Sequence, residues 1–113
     1  MRNENSISAL KEFLNDHGFK SWAELECNQR SFTPEKALNF RTNYFIYNNL
    51  QKEVELNYFD INGVELNHYK LQPKSYILAE TDQYDGQIIE ITENERCMGT
   101  FGFVKDGYLI IDD

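Results

Sequence analysis

Two histidines and two cysteines are the side chains of this 113-residue chain with the most catalytic versatility, and they are widely spaced. Nucleophilic catalysis needs a nucleophile, a base and a group that orients the base. His17 falls at the end of a predicted helix, where a cation complements the dipole, so it reads as a cap. His68 stands between Asn67 and Tyr69 on a strand and reads as a surface or edge residue. Cys27 and Cys97 lie seventy positions apart with no second Cys or His beside either, so no metal-ligand spacing exists. Each reads as a small buried hydrophobe rather than a reactive thiol, and a disulfide between them stays open. Paired carboxylates could run glycoside hydrolysis, and Asp60, Glu65, Asp82, Asp85 and Glu90 offer combinations. With nineteen acidic residues, however, pairs arise by chance, and a small domain leaves little room for a deep cleft. The segment Asp60 to Glu65 matches only part of a calcium-loop ligand series and reads instead as a β-turn. The expectation is no catalytic residue, no metal and no cofactor, with a small carboxylate-dependent hydrolase kept as a rival.

Composition sets the kind of partner. Nineteen acidic against eleven basic residues leave a formal net charge of −8, whose field repels nucleic-acid backbone and anionic membrane. A basic protein is the favoured partner, and the same charge also keeps a protein soluble. There is no phosphate-cradling Gly loop and no basic patch interleaved with aromatics. The first residues, MRNENS, lack the apolar stretch of a signal peptide, and no run is long enough to span a bilayer. The expected compartment is therefore the cytoplasm, or the periplasm or exterior where a leader has been removed. Oligomeric state stays open.

The elements that would position these groups follow from periodicity. Ile7, Leu10, Phe13 and Leu14 have helical spacing, with Ser6 or Ser8 to cap the start and Gly18 to end the helix. The apolar stripe is expected to cover the chain's own sheet. From Phe19 to Arg41 the pattern is mixed: Trp22 and Leu25 fit a short helix, and Thr33-Pro34-Glu35 fits a further helical start. Trp22 is read as a packing anchor.

After Thr42 the period becomes two. Tyr44 to Tyr47 favour a strand, and Val54, Leu56 and Tyr58 alternate with Glu53, Glu55 and Asn57. Later runs are Ser75 to Ala79, Gln87 to Thr92, Cys97 to Val104 and Tyr108 to Ile111. Asn62-Gly63, Asp85-Gly86 and Asp106-Gly107 are turn dipeptides that tolerate positive φ. The fold class read from this is mainly β (α+β): an antiparallel β-sandwich of six to seven short strands with an N-terminal helix. One domain over 1–113 is expected, with 1–41 a helical N-terminal element and 42–113 the sandwich.

Several motifs then fall in a familiar order. They are Phe45-Ile46-Tyr47-Asn48, the run Val54 to Gly63 ending in Asp60-Ile61-Asn62-Gly63, then Leu71-Gln72-Pro73, Thr81, and Ile89 to Phe101 with Cys97-Met98-Gly99-Thr100-Phe101. In order and nearly in spacing this resembles the von Hippel-Lindau β-domain family and its bacterial relatives, over about residues 42–112. The resemblance implies a β-sandwich that recognises a peptide. The family's peptide contacts align with Tyr58, His68 with Tyr69 beside it, Thr81, and the stretch Tyr84-Asp85-Gly86-Gln87. Of these only Thr81 keeps the family's residue kind, and Lys74 stands where the family has Gly after its Leu-x-Pro element.

Seven tyrosines cannot all enter one small core, and Tyr beside carboxylates makes a recognition surface for a basic partner. The leading expectation is a non-enzymatic acidic protein-binding module of the inhibitor or immunity type. The alternative is a peptide-recognition domain with Tyr58, His68, Tyr69, Thr81, Tyr84 and Asp85 as its binding residues.

Overall fold

The computed structural model describes residues 3–30, 39–60, 62–84 and 87–112. Among the described residues, helix α1 (Asn3–Asp16) is followed by nine strands: β1 (Lys20–Ser21), β2 (Ala23–Leu25), β3 (Asn39–Asn48), β4 (Val54–Phe59), β5 (Glu65–Leu71), β6 (Tyr76–Tyr84), β7 (Ile88–Glu93), β8 (Arg96–Gly102) and β9 (Gly107–Ile111). They form a four-stranded sheet ordered β1-β9-β3-β6 and a five-stranded sheet ordered β2-β8-β7-β4-β5. This is the expected sandwich with an N-terminal helix, with more than the expected six to seven strands because β1 and β2 form within the stretch expected to be helical. One sheet is mixed, because β9 runs parallel to both β1 and β3.

The helix begins earlier than its serines, so Ser6 and Ser8 lie inside it rather than capping it. Its end is as expected. Gly18 adopts φ 87°, the Phe19 amide donates to the Leu14 carbonyl (2.9 Å) and the Gly18 amide to that of Asn15 (3.1 Å), closing a Schellman turn. The His17 ring lies 2.9 Å, Nδ1 to oxygen, from the Phe13 carbonyl, at the end of the helix. Ile7 and Leu14 are buried, whereas Phe13 is 56% exposed with its ring against His17.

The segment read as a short helix around Trp22 and Leu25 is instead β1 and β2, one extended run that changes sheets at Trp22. Its pairing partners, β9 and β8, lie far along the chain, so the conformation is set by long-range pairing and not by local propensity. Trp22 is the anchor it was expected to be. It is 4% exposed, packs edge-on against Phe103 (centroids 4.7 Å) and joins a core with Ile46, Val54, Leu56, Ile89 and Ile91. Gly107 gives the indole its room: a Cβ there would overlap Trp22 and approach the Val104 carbonyl to 2.8 Å.

The turns follow their residues. Gly63 (φ 80°) and Asp106 (φ 52°) take the left-handed conformation, while Asp85-Gly86 and Thr33-Pro34-Glu35 lie outside the described residues. Lys74, where Gly would cost less, also has positive φ (57°). Its Nζ offsets part of that cost by donating to the Asn49 carbonyl at 2.7 Å.

Candidate functional site

Strand β5 carries two of the expected binding residues and sends them opposite ways. It is the edge of the five-stranded sheet, and all but Leu71 of its residues are exposed. Because successive strand side chains alternate, Tyr69 pairs with Leu56 on the core-side face and His68 pairs with Asn57 on the outer face. Tyr69 is 52% exposed and meets Tyr58 edge-on at 5.7 Å, and Tyr58 stacks on Phe103 at 6.1 Å. The Tyr58 hydroxyl is buried without a well-formed hydrogen bond. Burial first, then the adjoining Tyr44 and Tyr69 phenols, pushes its pKa far above the ordinary range, so it stays neutral and serves as an aromatic wall. Thr81 and Tyr84 lie on β6, opposite Thr42 and Asn39 of the other sheet, and Asp85 falls outside the described residues.

Tyr58→Phe removes a buried hydroxyl that makes no well-formed hydrogen bond and has the Tyr44 phenol as its polar neighbour, so unfolding stability should stay level or rise by up to about 1 kcal/mol. Urea titration checks this. A loss of more than about 1 kcal/mol would mean that the hydroxyl pairs with the Tyr44 phenol in solution.

The outer face of the five-stranded sheet holds a more developed arrangement. Register sets Glu55 beside Thr92 and Lys70, Asn57 beside Glu90 and His68, and Phe59 beside Ile88 and Glu65. The Asn57 amide donates to the Glu90 carbonyl and the Thr92 hydroxyl (both 3.0 Å), and that hydroxyl donates onward to the Glu55 carboxylate at 3.0 Å. A chain of such bonds holds Glu55 in one orientation. At one end Arg30 forms an ion pair with Glu90, whose side chain is only 5% exposed, and lies 4.0 Å above the centroid of the Phe59 ring.

Above this floor are two grooves, of about 350 Å³ and about 620 Å³, that share Glu55 and Glu95 in their walls. Their linings contain Glu53, Glu55, Glu65, Glu90, Glu93 and Glu95 against Arg30, Lys52 and Lys70, a negative excess of three charges. His68 reaches this surface, 3.8 Å from the Glu65 carboxylate. Glu95 sits at the tip of the β7–β8 hairpin with φ 66°, a conformation unfavourable for a residue with a Cβ.

The cysteines are not the small buried hydrophobes expected from the burial of free Cys; the pairing left open is the one formed. Cys27 is exposed, Cys97 is half-buried, and they are joined by a disulfide (S–S 2.07 Å). The bond ties the segment after β2 to β8, three residues before Arg30. Of the carboxylates considered for hydrolysis, Asp60 and Glu90 are otherwise engaged, whereas Glu65 is exposed in the groove wall. Asp60 accepts from the Asn62 and Val64 amides (2.8 and 2.9 Å), and Glu90 is paired with Arg30. Among the described residues no group of three or more His, Cys, Asp or Glu is placed to hold a metal ion. No described helix is long and apolar enough to cross a membrane.

The water-facing alternation of Glu53, Glu55 and Asn57 had pointed to this face, but Arg30, Phe59 and Thr92 carried no local signal of belonging to it. Comparison with protein-family models, with curated proteins and with solved structures finds no match.

Proposed function

We propose that this chain is a non-enzymatic acidic binding module that covers the surface of a basic protein, in the manner of an inhibitor or immunity protein. The supporting observation is the outer face of the five-stranded sheet, where six carboxylates against three cations line two joined grooves over a hydrogen-bonded floor. A net charge of −8 steers a basic partner toward it and makes association sensitive to salt. The Cys27–Cys97 disulfide favours action in an oxidising compartment, the periplasm or exterior, over the cytoplasm.

Titration with tetra-arginine amide tests the reading. Affinity should fall as salt rises from about 20 to 200 mM, because screening shortens the reach of each charge. Glu95→Gly should weaken binding about fivefold, the loss of one carboxylate contact, while raising stability by about 1 kcal/mol by relieving its positive φ. Glu24→Gln, an exposed position on β2, should change neither. Binding that ignores salt, or is indifferent to Glu95→Gly, rejects the groove as the recognition surface.

A second reading, peptide recognition of the von Hippel-Lindau type, draws support from the exposed Tyr69 ring set against Tyr58. It is separated in the same titration: Tyr69→Ala leaves tetra-arginine binding unchanged if the acidic groove is the site.

A further inference from the structure

Resting on the proposed reading, the geometry points to a specific subsite within the acidic surface: Glu90 and Phe59 form a receptor for a guanidinium group. The chain's own Arg30 fills it, and an arginine of the partner takes it by displacing Arg30.

The subsite has the parts that recognise arginine and distinguish it from lysine. Glu90 supplies a carboxylate that is 5% exposed, and the Phe59 ring, 8% exposed, supplies a flat face beneath the guanidinium carbon at 4.0 Å. A planar, weakly hydrated guanidinium can stack and pair at once, whereas an ammonium is compact and strongly hydrated. That a guanidinium fits here is shown by Arg30 itself.

Arg30 is placed to leave without unfolding the sheet. Its side chain is 36% exposed and forms part of the wall of the 350 Å³ groove, so an incoming arginine reaches Glu90 from solvent. Beyond Glu90, the Arg30 guanidinium donates to the backbone carbonyl of its neighbour Gln29 (3.2 Å), a bond that breaks as the side chain swings out and leaves that carbonyl to water. The Arg30 backbone is held against the turn at Gly63, where an added Cβ would come within 3.1 Å of the Arg30 Cβ and 3.2 Å of its carbonyl oxygen. Only the side chain has to swing. The Cys27–Cys97 bond, three residues away, keeps the local concentration of Arg30 high. The apparent affinity for an outside arginine is therefore lowered by the fraction of molecules in which Arg30 is seated.

Calorimetric titration of the oxidised protein with tetra-arginine amide and tetra-lysine amide tests this. Four proteins are compared: wild type, Arg30→Ala, Lys70→Ala and Arg30→Ala/Glu90→Gln. Lys70→Ala makes the same change in net charge in the neighbouring groove without emptying the subsite. Arg30→Ala should bind tetra-arginine about tenfold more tightly than wild type, the gain expected if the seated form exceeds the open form by about ten to one. It should gain for tetra-lysine no more than Lys70→Ala does, and Glu90→Gln should cancel the tetra-arginine gain. If Arg30→Ala binds tetra-arginine no better than Lys70→Ala, the exchange is rejected. Should Arg30→Ala fail to fold, the wild-type Arg30 side-chain NMR signal decides. It must move toward that of free arginine as tetra-arginine saturates the protein, and an unmoved signal overturns the proposal. Salt-sensitive binding without these effects defeats the exchange alone, whereas no binding by any of the four proteins defeats the binding reading as well.

Discussion

Breaking the Cys27–Cys97 bond, by reduction or by Cys27→Ser/Cys97→Ser, should lower the free energy of unfolding by about 4 kcal/mol. The figure follows from the seventy-residue separation it closes, since a cross-link removes more unfolded-state entropy as its loop lengthens. Domains of this size are stable by about 5–15 kcal/mol, so the loss is a large share of the total. Urea titrations with and without reductant measure it, and the slope of the transition should steepen because the uncross-linked unfolded chain exposes more surface. The bond joins the segment after β2, a short edge strand, to the central body of the five-stranded sheet. Reduction should therefore free the Cys27 segment before the rest of the sheet yields, and hydrogen exchange should report faster opening at 23–30 than in β4 or β7. A stability loss below about 1 kcal/mol would show that the unfolded chain keeps residual structure that already holds the two cysteines near each other.

Asn48→Ala should cost a similar amount, about 4 kcal/mol, through a different cause. Asn48 is fully buried at the end of β3. Its side-chain amide donates to the carbonyls of Lys52 (2.9 Å), Leu71 (3.1 Å) and Gln72 (3.1 Å), and its side-chain oxygen accepts from the Leu50 amide at 2.9 Å. One side chain thereby joins the end of β3, the loop before β4 and the end of β5. Truncation leaves backbone groups without partners where water has little access, at about 1–3 kcal/mol for each group left unsatisfied. Asn48→Asp keeps the shape but loses the N–H donors and turns oxygen toward three carbonyls, so it should be at least as damaging. Equilibrium denaturation of both variants checks this; a change under about 1 kcal/mol in either would mean that water replaces the amide.

These two sites were unequally visible in the sequence. The cysteines could be named but not paired, because a separation of seventy positions says nothing about which strands become neighbours. Asn48 stood out only within the Phe45-Ile46-Tyr47-Asn48 motif, and nothing local marks an Asn as the hub of bonds to residues 23 and 24 positions away. Arg30 and Glu90 lie sixty positions apart, so their pairing over Phe59 was equally hidden.

By itself the sequence determined what local physics decides. The alternation at 53–58 separated the buried Val54 and Leu56 from the outward Glu55, Gly18 ended the helix, and bulk and apolarity put Trp22 in the core. The excess of carboxylates determined the sign of the surface. Tertiary structure alone decided that Lys20 to Leu25 is extended, because a strand exists only when its distant partner is in place. It alone decided that Tyr69 takes the core-side face of the sheet and His68 the outer one. It alone set Arg30, Phe59 and Glu90 together, because long-range contacts are chosen by the closure of two sheets on one core and not by spacing along the chain.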